Sequence, residues 1–138
     1  MSSPGENVAR LNDAYRQWHE SKGGSVQTWL DLMADDVSVR SLANGGAGAE
    51  FTSEIRSKAD FKRYFDGLLG EWEMINYQTG AFIADGDWVA MRGSTAWKNR
   101  ATGRVVDTPK ADFWRFRDGK VVEFHEFYDT AALYDAAR

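Results

Sequence analysis

Cysteine is absent from the 138 residues, which excludes disulfides, thiol nucleophiles and thiolate metal sites. Histidine is almost absent: His19 and His125 are too few for a histidine-built metal centre, so no metal and no cofactor is expected. Basic residues are in deficit, 17 against 21 acidic ones, for a net charge of −4. That balance is poorly suited to phosphate backbones and argues against nucleic acid as a partner. No uncharged apolar run approaches the roughly 20 residues of a membrane span, which argues against a membrane partner. The opening Met-Ser-Ser-Pro-Gly-Glu has neither the basic nor the apolar region of a signal peptide, so the expected location is the cytoplasm. No repeat, low-complexity tract or linker interrupts the chain, and one domain over 1–138 is expected.

What the sequence does have is aromatic bulk. Six Trp, five Tyr and eight Phe suit a wide apolar interior or a cavity. The order of elements is helices first, then strands, which indicates α+β. Ser3-Pro4-Gly5-Glu6 reads as a helix N-cap with proline at the first helical position. Val8, Leu11, Tyr15 and Trp18 then recur at helical spacing, and the helix should end before Gly23-Gly24. A short helix is expected after Ser25, with Trp29, Leu32 and Met33 on one side, then a strand over 37–41. Ser57-x-x-Asp60 caps a third helix carrying Phe61, Tyr64, Phe65, Leu68 and Leu69, with Gly70 as its expected stop. Asp85-Gly86 and Asp118-Gly119 sit between apolar runs and predict tight hairpins. With a looser turn over 99–104 they give a four-stranded antiparallel meander from about residue 72. Thr130 is expected to cap a terminal helix over 131–137.

The region 42–56 holds Gly45, Gly46 and Gly48 and has no period, so it reads as a mobile loop, with Phe51 as an apolar flap. It lacks the Gly-Lys-Ser/Thr ending of a phosphate cradle.

Strand alternation selects the residues that point inward. Over 111–117 one face carries Asp112, Trp114 and Phe116, and the other Phe113, Arg115 and Arg117. Over 121–128 one face carries Val122, Phe124, Glu126 and Tyr128. Each more apolar face thus holds one carboxylate, and the stripe of the first helix adds the phenol of Tyr15. Inward carboxylates are expensive unless used, and their desolvation marks them as candidates for chemistry. Over 88–98 a bulge near Gly93 would bring Arg92 inward, whereas plain alternation leaves it outside.

The early helix with its Tyr, Ala34-Asp35-Asp36-Val37, Asp112-Phe113-Trp114-Arg115-Phe116 and the tail Asp118 to Asp129 resemble the nuclear transport factor 2-like superfamily. That group includes ketosteroid isomerases, SnoaL-like polyketide cyclases, limonene-epoxide hydrolases and scytalone dehydratases. The resemblance implies a cone: a curved antiparallel sheet wrapped by N-terminal helices around an apolar pocket. It also implies a homodimer through the outer sheet face, which Phe113, His125 and Phe127 suit. Tyr15 and Asp112 match the oxyanion-hole tyrosine and carboxylic acid of the isomerase, a site in which the acid stays protonated. The isomerase's base falls on Ser41. Aligned with the epoxide hydrolase, Glu126 takes the place of a catalytic aspartate, and Arg92 that of its arginine.

The expected function is therefore acid–base catalysis on an oxygenated hydrophobic small molecule, a polyketide, terpenoid or steroid. The reaction would be of isomerase, cyclase, dehydratase or hydrolase type. Tyr15, Asp112 and Glu126 would be catalytic, and Met33, Ser41, Phe65, Arg92, Trp114, Phe116 and Phe124 would bind substrate. The alternative is a non-catalytic module of the same fold that binds a hydrophobic ligand or dimerises.

Overall fold

The computed structural model describes residues 3–138. Helix α1 spans Pro4–Glu20, and its cap forms as the sequence predicts: Ser3 Oγ accepts the Glu6 amide at 3.2 Å. Helix α2 covers Val26–Leu32 and runs directly into strand β1, Met33–Ser41. Met33 thus opens a strand rather than closing a helix, and the strand takes in Asp35 and Asp36 ahead of the expected start at residue 37. Helix α3, Lys58–Glu71, begins where Ser57 Oγ accepts the Asp60 amide at 3.0 Å. Gly70 does not end it. The helix gives way at Trp72, whose backbone is already extended.

Four long strands follow: β2 Trp72–Asp85, β3 Trp88–Asn99, β4 Val105–Arg117 and β5 Lys120–Tyr128. Both hairpins form. Asp118 and Gly119 have φ of 50° and 81°, as a type I′ turn requires. In the first hairpin Asp85 pairs with Trp88, so the loop residues are Gly86 and Asp87, with positive φ only at Gly86. The last helix, α4 Thr130–Ala136, is capped one residue earlier than expected, by Asp129, whose carboxylate accepts the Ala132 amide at 3.0 Å.

The sheet order is β1-β5-β4-β3-β2. It is curved and unclosed, and all its pairs are antiparallel except one. Strand β1 docks parallel to β5, with Met33 opposite Val121 and Ser41 opposite Glu126. A parallel neighbour needs a long crossover, which α3 and the meander supply. The helices cover one face, where Leu11, Phe61, Trp72, Val89, Phe116 and Val121 are essentially excluded from solvent. The other face carries a row of Ile83, Ala90, Phe113 and His125, paired across four strands, in which Ile83 and Phe113 are exposed and Ala90 and His125 half-buried.

The 42–56 segment packs more closely than its composition suggests. Residues 50–52 form a 3-10 turn, Ala43, Ala49, Thr52 and Ile55 are buried, and Val39 pairs with Ile55. Gly48 (φ 83°) is fitted against α4: a Cβ there would lie 2.5 Å from that of Ala137. Gly67 of α3 is a notch filled by the Phe51 ring. Among the described residues, no helix is long and apolar enough to cross a membrane.

Candidate functional site

Inward residues at two-residue spacing on β4 (Val106, Thr108, Lys110, Asp112, Trp114) and on β5 (Phe124, Glu126, Tyr128) form the floor of a cavity. Helices α1, α2 and α3 add Tyr15, Trp18, Trp29, Phe61, Tyr64 and Phe65; Phe51, Leu68 and Leu133 lie at its partly exposed side. The cavity volume is about 90 Å³, room for several waters or a small organic group.

Its polar centre is a buried ion triad. Lys110 Nζ is hydrogen-bonded to Asp112 Oδ1 and lies 3.1 Å from Glu126 Oε1. Asp112 and Glu126 are directly opposed in the β4–β5 register, so the ammonium separates two carboxylates that would otherwise repel. Phenols complete the network. Tyr15 donates to Asp112 Oδ2 at 2.5 Å and Tyr77 to the same oxygen at 3.1 Å. Trp114 Nε1 donates to the Tyr15 oxygen at 2.8 Å. Tyr64 donates to Glu126 Oε2 at 2.7 Å.

Burial pushes the Asp112 pKa up, Lys110 opposes this, and Glu126 adds to it. For Lys110 burial disfavours the charge, but Asp112, Tyr77 and Glu126 outweigh it and hold the ammonium well above its ordinary value. Burial, reinforced by the neighbouring carboxylates, lifts Tyr15, Tyr64 and Tyr77 far above the usual phenol range, so they act as donors. Asp112 accepts three hydrogen bonds.

Of the expected site residues, Tyr15, Asp112, Glu126, Phe65, Trp114 and Phe124 come together around the cavity. Four do not line it. Met33 is buried at the start of β1, opposite Val121. Ser41 points to Tyr128, with Oγ 2.5 Å from the phenol oxygen. Phe116 lies one inward step beyond Trp114, toward the hairpin, in the packed core. Arg92 is exposed on the outer face. The irregularity is real but sits on the partner strand, between Thr79 and Ala81 of β2, so β3 keeps its alternation. Gly93 is required there because a Cβ would clash with the Gln78 carbonyl.

Lys110, Tyr64 and Tyr77 were not anticipated. One more step of alternation before Asp112 reaches Lys110, and this is the signal that would have found it. Tyr64 belongs to the α3 stripe and reads as ordinary core. Tyr77 lies between two irregularities of β2, where alternation gives no guide. Among the described residues, no group of three or more His, Cys, Asp or Glu side chains could hold a metal ion.

The SnoaL-like domain family matches residues 9–124. No curated protein matches by sequence. Among solved structures, a nuclear transport factor 2-like protein from Burkholderia thailandensis is 24% identical, with TM-score 0.80 over 100% of this chain and 99% of that one. TerC, co-crystallized with polyporic acid, is 18% identical, with TM-score 0.78 over 96% and 98%. IdmH from Streptomyces antibioticus, described as a proposed polyketide cyclase, is 20% identical, with TM-score 0.70 over 98% of each chain. At these identities the likeness establishes the fold alone.

Proposed function

Since the chain belongs to the SnoaL-like domain family, we propose that it is a small-molecule enzyme of isomerase or cyclase type, acting on an oxygenated hydrophobic substrate. The observation that carries this reading is the pair of opposed carboxylates sharing one ammonium inside an aromatic cavity. The two are not equivalent. Asp112 is saturated by Tyr15, Tyr77 and Lys110, whereas Glu126 receives only Tyr64 and Lys110. Glu126 is therefore the general base. It removes a proton from a carbon beside a carbonyl, and the electron pair moves to the carbonyl oxygen. Once Glu126 is neutral its hold on Lys110 weakens, and the ammonium turns to the new oxyanion, with the Tyr15 phenol as the second donor. Asp112 fixes these donors in place. The proton on Glu126 then returns at another position, or the enolate attacks a second carbonyl within the substrate. The polyketide cyclase activity proposed for IdmH belongs to this class.

The test is proton–deuterium exchange of enolisable aromatic ketones in D₂O, followed by NMR. Glu126→Gln should slow exchange by about 10²- to 10⁴-fold, the usual worth of a general base, while uncharged ketones still bind. Undiminished exchange in that variant would remove Glu126 from the mechanism.

The alternative, a non-catalytic ligand-binding module, is favoured by the saturation of Asp112, and it predicts full tolerance of Glu126→Gln. In either case we propose a homodimer formed through the outer sheet face. The exposed Phe113 and Phe127 rings pack edge to face there, with centroids 5.7 Å apart.

A further inference from the structure

We infer that the cavity selects ligands bearing a positive charge, an ammonium or other organic cation joined to an apolar body. The inference rests on the reading of this cavity as the ligand site and narrows its substrate class.

Three observations support it. Lys110, Asp112 and Glu126 are the only charged side chains among the described lining residues. Two carboxylates thus face one ammonium, an excess of one acidic group over basic ones. The phenols of Tyr15, Tyr77 and Tyr64 donate to those carboxylates and add no positive charge.

The second observation concerns the walls. Thirteen of the twenty-three lining residues are aromatic. Trp18, Trp29 and Trp97 are among them, and tryptophan offers the best face for a cation. Lys110 already uses this environment, with Nζ 5.7 Å from the Tyr77 ring centre and 5.6 Å from that of Phe124. A ligand cation would find rings of the same kind without a competing positive side chain beyond Lys110.

The third is geometric. Lys110 Nζ is committed between Asp112 Oδ1 and Glu126 Oε1. An anionic ligand group would have to share this ammonium with two carboxylates that repel it, whereas a cation can approach from the aromatic side. The proposed catalysis is unaffected, since Glu126 loses its charge in the step that forms the oxyanion and the total charge of the site stays constant.

The experiment compares an isosteric pair, choline and 3,3-dimethylbutan-1-ol, which differ by N⁺ for C. Binding is read from tryptophan emission and calorimetry at pH 7. The wild type should bind choline at least tenfold more tightly than the alcohol. Glu126→Gln makes the triad neutral and should bring the ratio below threefold. Raised salt should change the wild-type ratio little, because buried charges are weakly screened. Equal or tighter binding of the neutral alcohol by the wild type, or no binding of either probe, overturns the inference. So does a ratio that Glu126→Gln leaves unchanged. Failure is separable from failure of the catalytic reading. A wild type without a charge preference, whose exchange still depends on Glu126, rejects this inference alone. A wild-type preference that Glu126→Gln abolishes, with exchange independent of Glu126, rejects the catalysis alone.

Discussion

Replacing Lys110 by methionine keeps most of its volume and removes its charge. Asp112 and Glu126 then face each other across β4 and β5 with nothing between them. Directly opposed residues lie ~5 Å apart, and two like charges at that distance in an effective dielectric of ~20 repel by about 3 kcal/mol. Removing one partner from a buried ion pair costs about 3–5 kcal/mol in general, which agrees. The pH dependence separates this cause from lost packing. Without the ammonium, one carboxylate of the pair takes up a proton well above its ordinary range. A carboxylate with a raised folded-state pKa favours the fold at low pH, and that contribution is lost as pH rises through the raised value. The penalty of Lys110→Met should therefore be small near pH 4 and reach about 3 kcal/mol at pH 7. Urea unfolding of wild type and variant at pH 4, 5.5 and 7, followed by circular dichroism, measures it. Adding Glu126→Gln to the variant should recover more than half of the loss at pH 7, since the two changes share one interaction. A penalty equal at pH 4 and pH 7, or below about 1 kcal/mol throughout, would refute the electrostatic account.

Two other predictions follow from the same structure. Tyr15, Tyr64 and Tyr77 are held far above the ordinary phenol value of 10.0; raised pKa values stabilise the fold below pH 10 and cease to do so as pH climbs through them. The absorbance of at least three of the five tyrosines at 295 nm should appear in one steep step that coincides with unfolding, and a gradual rise of more than two tyrosines' worth in the folded protein would contradict their burial. Phe113→Asp places a charge in the centre of the outer apolar row and should convert a dimer into a monomer in sedimentation experiments. A wild type already monomeric at 100 μM, or a variant still dimeric, would place the interface elsewhere.

Local signals in the sequence located most of the fold. Ser3 and Ser57 cap helices because their hydroxyls reach amides three residues on, a relation visible in any four-residue window. Asp118-Gly119 determines a hairpin by itself. Alternation placed Asp112, Trp114, Phe124 and Glu126 correctly, since a strand's faces are fixed once its direction is known. What escaped depends on distance. The parallel docking of β1 on β5 is settled by packing over nearly the whole chain, and no local residue announces it. Arg92 depended on which strand carries the irregularity, a property of the pair and not of either strand alone. Tyr64 and Tyr77 look like core because they are core; only the carboxylates opposite give their hydroxyls a role. Lys110 was legible, since the alternation that located Asp112 also reaches it, two residues earlier.

The parallel pairing of β1 with β5 also sets a timetable. Eighty-eight residues separate Met33 from Val121, and at ~5–20 residues per second a ribosome needs roughly 4 to 18 s to supply the partner. Through that interval α1, α2 and β1 have been made but have nowhere to dock. Tyr15 waits still longer for Asp112, and the triad is incomplete until Glu126 emerges. A nascent chain halted anywhere before β5 therefore presents an aromatic helix face and an unpaired strand edge to solvent. The parallel pairing and the triad are both completed only once β5 has been made.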